Sequence, residues 1–272
     1  MDNIQPKRQL TQFDGCWIEV NAIHIMCSDV SLHLLKLITI VVWGDAPLLE
    51  TSFVALLLLI GEISLSQLVD YFVLEGGSID TDGNGTLMTT RECLCSLNRN
   101  EYLEQEEIEG ELKQAFGLKR VIWLEHGGIA GDDTDSHVDI LARFCSPDTI
   151  AYTQCEDEAD ENYAELHAME EQLKTLRTLD GEPYKLVPLP LPDALYLDDY
   201  RLPGSYANFL IINGAVLVPG SGSEKDEVVR KRLKDVFPDR EVKMIDCRAL
   251  LSGHGGLHCV TMQFPEGWLN EK

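Results

Sequence analysis

The sequence predicts an α/β protein assembled from repeated ββαβ modules. Two observations support this fold class. A β-hairpin, a helix and a further strand recur in the same order three times, and the first strands of successive units lie about sixty residues apart. Apolar residues at helical spacing follow two short β-type runs in each unit, as expected for a crossover that returns to the sheet. A circular array of such modules would let each first strand send a side chain to the central axis.

The first unit begins near residue 71. Residues 71–79 and 86–90 are predicted strands around a short sequence typical of a hairpin turn. That turn is Asp82-Gly83-Asn84-Gly85. The helix that follows has apolar residues on one face, namely Ile108, Leu112, Ala115 and Phe116. Gly117 is its expected C-cap, and residues 121–124 are the closing strand.

The same order of elements returns twice. The second unit has strands at 138–144, 149–153 and near 186–189, with a helix carrying Leu166, Met169, Leu173 and Leu176. The third has strands at 206–212, 215–218 and 241–245, with a helix carrying Val229, Leu233 and Val236. Residues 257–264 are expected to begin a fourth unit. Residues 1–70 lack either periodicity and receive no assignment.

Composition narrows the classes of partner. The 272 residues carry a formal net charge of −24, which argues against a nucleic-acid backbone and favours cationic ligands, although acidity alone also keeps a protein soluble. Eight cysteines are too widely spread for a disulfide framework, so a reducing cytoplasm fits best. The N-terminus lacks a signal-peptide layout, and the apolar runs 34–43 and 53–60 are shorter than the roughly 20 residues that span a bilayer.

Two sets of residues in the sequence resemble metal-binding motifs, and neither set is complete. Asp80, Asp82, Asn84 and Gly85 match the first half of an EF-hand loop, but Arg91 occupies the position of the required glutamate. The pairs Cys93/Cys95 and His254/His258 each lack a second ligand pair at zinc spacing. We therefore expect no metal.

A thiol and an imidazole stand out as candidates for chemistry. Cys259 follows the glycine pair Gly255-Gly256 in an apolar, strand-like segment, and a thiol is a strong nucleophile near neutral pH. Alone, it fits a small buried hydrophobe better than a nucleophile. His137 lies among carboxylates, and on a strand it would share a face with Asp139. Together these residues could support covalent chemistry on a cation.

Longer motifs connect these residues to a known family. They are Leu74-Glu75-Gly76-Gly77-Ser78-Ile79, Gly85-Thr86-Leu87-Met88-Thr89-Thr90-Arg91-Glu92-Cys93-Leu94, Leu97-Asn98-Arg99-Asn100, Gly131-Asp132-Asp133-Thr134-Asp135-Ser136-His137-Val138-Asp139, Tyr206-Ala207-Asn208-Phe209, Phe237-Pro238-Asp239-Arg240-Glu241 and the Cys259 segment. Through them, residues 71–265 resemble the agmatine deiminase and bacterial-type peptidylarginine deiminase family of guanidine-modifying enzymes.

The resemblance implies a fold and a set of roles. The fold is a five-bladed α/β propeller, the pentein fold. Cys259 would be the nucleophile, His137 a general acid and then a base, and Asp139 a carboxylate that grips the guanidinium. Glu75 and Asp133 resemble further acidic residues of the site, although Glu75 could instead be a solvated turn residue and Asp133 a local cap. Neither a metal nor an organic cofactor would be required.

One expected segment is absent from the sequence. The family carries, upstream of the Glu-Gly-Gly motif, a tryptophan and an arginine-aspartate pair that supplies a second guanidinium-binding carboxylate. Trp43-Gly44-Asp45 is a poor substitute. We therefore expect a pentein-type propeller whose N-terminal blade, within residues 1–70, is incomplete or aberrant, followed by a deiminase domain at 71–272.

The predicted function is that of a cytoplasmic hydrolase that converts a guanidino group to a ureido group. Agmatine giving N-carbamoylputrescine, a step towards putrescine and other polyamines, is the first expectation, and peptidyl- or free arginine is the alternative. A degenerate pentein that only binds cations remains open, and amidino transfer is disfavoured. The expected partner is a small cationic guanidino substrate. Neither nucleic acid nor a membrane is expected, and a homo-oligomer is left open.

Overall fold

The computed structural model describes residues 10–13, 16–19 and 72–262 of the chain. Strands β1 (Leu10–Phe13) and β2 (Cys16–Glu19) form an antiparallel pair. The predictions for the apolar runs 34–43 and 53–60 and for Trp43-Gly44-Asp45 fall outside the described residues. Within the described part, no helix is long and apolar enough to cross a bilayer.

Three modules of the predicted ββαβ order occupy residues 79–246. The first comprises β3 (Ile79–Thr81), β4 (Thr86–Thr90), the short helix α1 (Arg91–Leu94), α2 (Gln105–Phe116) and β5 (Arg120–Leu124). The second comprises β6 (Ala142–Ser146), β7 (Thr149–Gln154), α3 (Tyr163–Thr175) and β8 (Lys185–Pro190). A small hairpin of β9 (Tyr196–Leu197) and β10 (Tyr200–Arg201) leads to the third, which comprises β11 (Leu210–Ile212), β12 (Ala215–Gly220), α4 (Lys225–Val236) and β13 (Glu241–Asp246). Helix α5 (Arg248–Leu251) comes last.

Strand pairing is the same in all three modules. The first two strands are antiparallel, and the third returns through the helix to lie parallel to the second, so that the second strand is central. This confirms the predicted order of elements. The described strands of these modules form three separate three-stranded sheets and do not themselves close into a ring.

The first strands are shorter than predicted. In the described part of the range 71–79 only Ile79 belongs to a strand, after the 3-10 turn Gly76–Ser78. The range 138–144 begins with the 3-10 turn Val138–Ile140, and the range 206–212 is a strand only from residue 210. Local hydrogen bonds compete with strand pairing here: Ser78 Oγ donates to the Glu75 carbonyl, and Ser205 Oγ accepts from the Ala207 amide. The expected fourth strand at 257–264 is also wrong over residues 258–260, which form the 3-10 turn His258–Val260.

Helix α2 shows why the helical predictions were accurate. Glu104 and Glu107 form a capping box at its N-terminus, and Gly117 adopts φ 64° as the predicted C-cap. Its apolar face buries Ile108 and Leu112 against β3, β4 and β5. The 3.6-residue pattern and the two caps thus coincide with the observed bounds.

The helices of the second and third modules pack between sheets. Helix α3 buries Leu166 and Met169 in a cluster with Ile122 of the first sheet and Ile150 of the second. Helix α4 does the same between the second and third sheets, through Val229 and Leu233. Because each helix contacts its own sheet and the preceding one, the modules are held side by side.

Arg143 of β6 contacts residues of the other two modules. Its side chain is 3% exposed, and its guanidinium donates from Nε to Asp80 Oδ1 of β3 at 3.0 Å. Nη1 donates to the Phe209 carbonyl at 2.9 Å, just before β11. The side chain also lies over the Phe209 ring, with Cζ 5.2 Å from the centroid. First strands of successive modules therefore converge, and the loops beside them form the candidate site.

Candidate active site

Glu75 lies at the start of the first module and is buried. It precedes the Gly76–Ser78 turn, and the Arg99 guanidinium donates to its Oε2 from Nε at 3.0 Å and from Nη2 at 2.7 Å. Arg99 also donates to Asp135 Oδ2 at 2.7 Å and to the Thr134 carbonyl at 2.9 Å. Arg99 thus ties the Glu75 turn to the loop that precedes His137, and Glu75 is not a solvated turn residue.

His137 lies against Glu75. Its Nε2 is 2.6 Å from Glu75 Oε2, and ligand atoms of Glu75, Cys93 and His137 all lie within 4.8 Å of one another. Burial alone would lower the pKa of His137, but its contacts with Cys93 and Glu75 and the charge of Asp139 raise that pKa to about 10. Burial would raise the pKa of Glu75, yet His137 and Arg99 lower it to about 2. At neutral pH the pair is an imidazolium and a carboxylate.

Asp139 is fully buried in the Val138–Ile140 turn, and its two carboxylate oxygens have different surroundings. Oδ2 accepts from Asn208 Nδ2 at 3.0 Å, lies 2.9 Å from His258 Nδ1 and is 3.6 Å from Cys259 Sγ. Oδ1 has no hydrogen-bond partner among the described residues. Burial opposes ionisation of Asp139, but the hydrogen bond with His258 and the positive charges of His137 and Arg143 outweigh it and lower the pKa of the carboxyl. The result is a buried carboxylate with one unused acceptor.

Cys259 occupies the His258–Val260 turn, where it is exposed. Asn208 holds this turn in place, because its Oδ1 accepts from the His258 amide at 2.8 Å while its Nδ2 is 3.3 Å from Cys259 Sγ. Desolvation by the surrounding protein, and then the charge of Asp139, raise the pKa of the thiol. Cys259 is therefore a thiol, and not a thiolate, in the unliganded protein.

Two glycines allow these close approaches. A Cβ on Gly77 would lie 2.4 Å from His137 Nδ1 and 3.0 Å from Asp139 Oδ2. A Cβ on Gly256 would lie 2.2 Å from Asn208 Oδ1. The glycine pair before Cys259 was expected to provide a tight turn. At Gly256 a side chain would collide with the Asn208 amide group, which holds the Cys259 turn, so glycine is required there.

The predicted site residues do not all meet. Glu75 contacts His137, Asp139 contacts Cys259, and His137 and Asp139 both lie against Gly77. His137 and Asp139 face the same region on a 3-10 turn, not through the strand alternation that was expected. Asp133 is exposed on the preceding loop, and its role stays a prediction. In that loop the Asp132 carboxylate accepts from the Thr134 and Ser136 amides, and Asp135 pairs with Arg99.

The aspartates of the EF-hand-like motif make other contacts in the structure. Asp80 pairs with Arg143, and Asp82 Oδ1 accepts from the amides of Asn84 and Thr86 in the hairpin turn, as expected for a hairpin. Among the described residues, one other group offers ligands: atoms of Glu75, Cys93 and His137 all lie within 4.8 Å of one another. Glu75 already accepts from Arg99, whose permanent charge would oppose a dication. This group is better described as an acid–base cluster.

Four residues contribute to the site without having been assigned to it. Asn208, Arg99 and His258 contact the predicted residues directly, and Arg143 contacts His258. Asn208 and Arg99 lie in motifs that carried the resemblance, and His258 is next to the nucleophile, so position in a motif was an available signal. Arg143 gave none, because its contacts come from residues more than sixty positions away.

Several known proteins are similar to this chain in sequence and in structure. Residues 42–265 match the profile of the Porphyromonas-type peptidyl-arginine deiminase family. Agmatine deiminase from Pseudomonas putida is 39% identical over 212 residues, which are 71% of this chain and 57% of that protein. Agmatine deiminase from C. jejuni, solved with substrate bound, is 45% identical with a TM-score of 0.67, covering 71% of this chain and 56% of that one.

A second solved structure extends the likeness. Agmatine deiminase of Enterococcus faecalis is 31% identical with a TM-score of 0.66, over 72% of this chain and 58% of that one. The chain thus spans a little over half the length of the relatives it matches. The order of motifs, the module architecture and the profile match lead to one conclusion. The chain belongs to the Porphyromonas-type peptidyl-arginine deiminase family.

Proposed function

We propose that this chain is a deiminase that converts the guanidino group of a small cation to a ureido group and releases ammonia. The observation that carries the proposal is the buried Asp139 Oδ1, which has no partner among the described residues and belongs to a carboxylate in contact with the Cys259 thiol. A buried, ionised acceptor without a donor is costly. A guanidinium N–H would satisfy it and would place the guanidinium carbon beside the sulfur.

The charge of the site suits a guanidinium. Asp139 and Glu75 both have lowered pKa values, so both are carboxylates at neutral pH. A guanidinium is planar, and charge-assisted hydrogen bonds to a carboxylate fix its plane as well as its position. The thiol can then approach the central carbon from one face of that plane.

Cation binding would also activate the nucleophile. The Asp139 charge raises the pKa of Cys259 in the unliganded protein. A guanidinium paired with Asp139 offsets that charge and lowers the thiol pKa, so that the thiol proton is lost to solvent as the substrate binds. The thiolate attacks the guanidinium carbon, and a tetrahedral intermediate forms.

His137 has the protonation state that the next steps need. Its pKa near 10 makes it an imidazolium at neutral pH, ready to give a proton to the departing nitrogen. Loss of ammonia leaves an amidino-thioether on Cys259. The neutral imidazole then takes a proton from water as the water attacks that carbon. Breaking the C–S bond yields the ureido product and regenerates the thiol.

Agmatine is the proposed substrate, with peptidyl- or free arginine as the alternative. Relatives named agmatine deiminase support agmatine, whereas the family description names peptidyl-arginine. The net charge of −24 suits a dication such as agmatine better than a zwitterionic amino acid. The product would be N-carbamoylputrescine, a precursor of putrescine.

The proposed architecture is a pentein-type propeller to which the three modules contribute consecutive blades. Convergence of the first strands on Arg143 supports this arrangement. The chain spans 57% of the length of a curated relative. A second candidate function is cation binding without turnover. The domain division at residue 71 stays part of the proposal.

The test is an assay for ureido product and ammonia with agmatine, a peptidyl-arginine and free arginine. We expect N-carbamoylputrescine from the unmodified chain and none above background from Cys259→Ala. Cys95→Ala, which changes a thiol outside the site, is the matched control and should retain activity. Calorimetry with agmatine identifies the second function if heat of binding appears without product, and equal background product from the unmodified chain and Cys259→Ala contradicts deiminase activity.

A further inference from the structure

His258, the residue before the nucleophile, lies between a carboxylate and a guanidinium. Its side chain is 2% exposed, with Nδ1 2.9 Å from Asp139 Oδ2 and Nε2 3.4 Å from Arg143 Nη2. Arg143 itself is fixed by Asp80 and by the Phe209 carbonyl. The imidazole thus connects the central arginine of the fold to the proposed guanidinium-binding carboxylate.

The chemistry of the two neighbours determines which ring nitrogen carries the proton. Arginine has only donors, so Nε2 must offer a lone pair to Arg143. An ionised carboxylate has only acceptors, so Nδ1 must carry the hydrogen that is donated to Asp139. The opposite tautomer would set a donor against a donor and a lone pair against a carboxylate.

The charge state of the ring agrees with this assignment. Burial and then the positive charge of Arg143 lower the pKa of His258, although Asp139 acts in the opposite direction. His258 is therefore neutral at pH 7 and has one N–H. His137, whose pKa is raised, is the contrasting imidazole of the site.

We propose that His258 is a positioning residue, held by Arg143 as the neutral Nδ1–H tautomer, which fixes Asp139 Oδ2 so that Oδ1 remains directed at the guanidinium of the substrate. Asn208 supplies the second donor to the same oxygen. With both donors in place, Oδ2 is occupied by the protein and the carboxylate plane cannot rotate freely. The tautomer assignment is independent of the proposed function, whereas the effect on substrate binding depends on it.

The direct test of the tautomer uses the unmodified chain. Long-range proton–nitrogen NMR of ¹⁵N-histidine-labelled protein at pH 7 should show a His258 ring with Nδ1 protonated and Nε2 unprotonated. His258→Asn identifies the signals by their loss. An Nε2–H tautomer or an imidazolium would overturn the proposal, and because no substrate is involved this result does not depend on activity.

A variant pair tests the positioning role. In His258→Asn the amide nitrogen can take the place of Nδ1 and still donate to Asp139, whereas in His258→Gln the amide group reaches the Nε2 position and leaves Asp139 without that donor. Agmatine affinity is measured by calorimetry in a Cys259→Ser background, which prevents turnover. We expect His258→Asn to bind within about threefold of that background and His258→Gln to bind about 10- to 100-fold more weakly.

The control is His126→Gln, which changes an exposed histidine outside the site and should leave the affinity unchanged. Equal affinities for His258→Gln and the background, or equal losses in His258→Gln and His258→Asn, would contradict the positioning role. If the Cys259→Ser background binds no agmatine, the proposed function fails, while the NMR measurement still decides the tautomer.

Discussion

At the scale of single residues, the reactivity of Cys259 depends on residues that are distant in sequence. Asp139 and Asn208, whose side chains lie 3.6 and 3.3 Å from its sulfur, are 120 and 51 positions away along the chain. Desolvation, and then the negative charge of Asp139, raise the pKa of the resting thiol and make it a poor nucleophile. The unliganded site thus keeps its thiol protonated.

This environment predicts the pH dependence of alkylation. A raised pKa means that the thiolate is the minor form at neutral pH, and its fraction then rises about tenfold for each pH unit. The iodoacetamide reaction of Cys259, taken as the difference between the unmodified chain and Cys259→Ala, should climb from pH 7 to pH 9 without levelling off. A plateau below pH 8 would show a thiol of lowered pKa and would contradict this environment.

Gly77 offers a steric test of the site. A methyl group there would meet His137 Nδ1 at 2.4 Å, so Gly77→Ala must displace the imidazole or the turn. We expect kcat/KM for agmatine to fall about 100-fold, because displacements of about 1 Å have that effect. Activity near that of the unmodified chain would show that His137 is not held where the structure places it.

Gly110→Ala is the matched control for that substitution. Gly110 lies inside α2, and a Cβ there would meet nothing within 4 Å. The same change of residue should leave activity intact and raise the free energy of unfolding by about 0.5–1 kcal/mol, since alanine favours helix.

At the scale of elements, the candidate site is built from turns, and the Arg99 side chain connects two of them. Arg99 connects the Glu75 turn of the first module to Thr134 and Asp135 of the loop before His137. Its side chain and that of Glu75 are 5% and 8% exposed. The relative position of the two turns therefore depends on one buried residue.

Arg99→Gln tests that dependence. Removing one partner of a buried ion pair leaves the other charge uncompensated, so we expect the free energy of unfolding to fall by about 3 kcal/mol in urea titrations. Arg91→Gln, which removes an arginine whose side chain is 57% exposed, should cost less than about 1 kcal/mol. Equal, small losses in both variants would contradict the structural role of Arg99.

The elements also show where sequence reasoning succeeds. Helix α2 followed from a 3.6-residue pattern ending at Gly117, because burial of one face and a left-handed cap are local properties. The first strands were predicted too long, since Ser78 and Ser205 form local hydrogen bonds that periodicity does not report. The contact of Arg143 with His258 depends on the assembled fold and has no local pattern.

At the scale of the whole molecule, three modules converge on Arg143, and the turns beside their first strands carry the site. Helices α3 and α4 each pack against two sheets, which fixes the spacing between modules. Glu75 precedes the first module, His137 and Asp139 precede the second, and Cys259 follows the third. The proposed chemistry therefore needs all three modules in their correct relative positions.

Trapping the covalent intermediate tests the central claim most directly. The unmodified chain is mixed with agmatine, quenched in acid during turnover and examined by intact and peptide mass spectrometry. The account predicts an adduct with the mass of agmatine less ammonia, located on Cys259 and absent from the Cys259→Ala variant. Formation of N-carbamoylputrescine by Cys259→Ala, or an adduct on another cysteine, would contradict it.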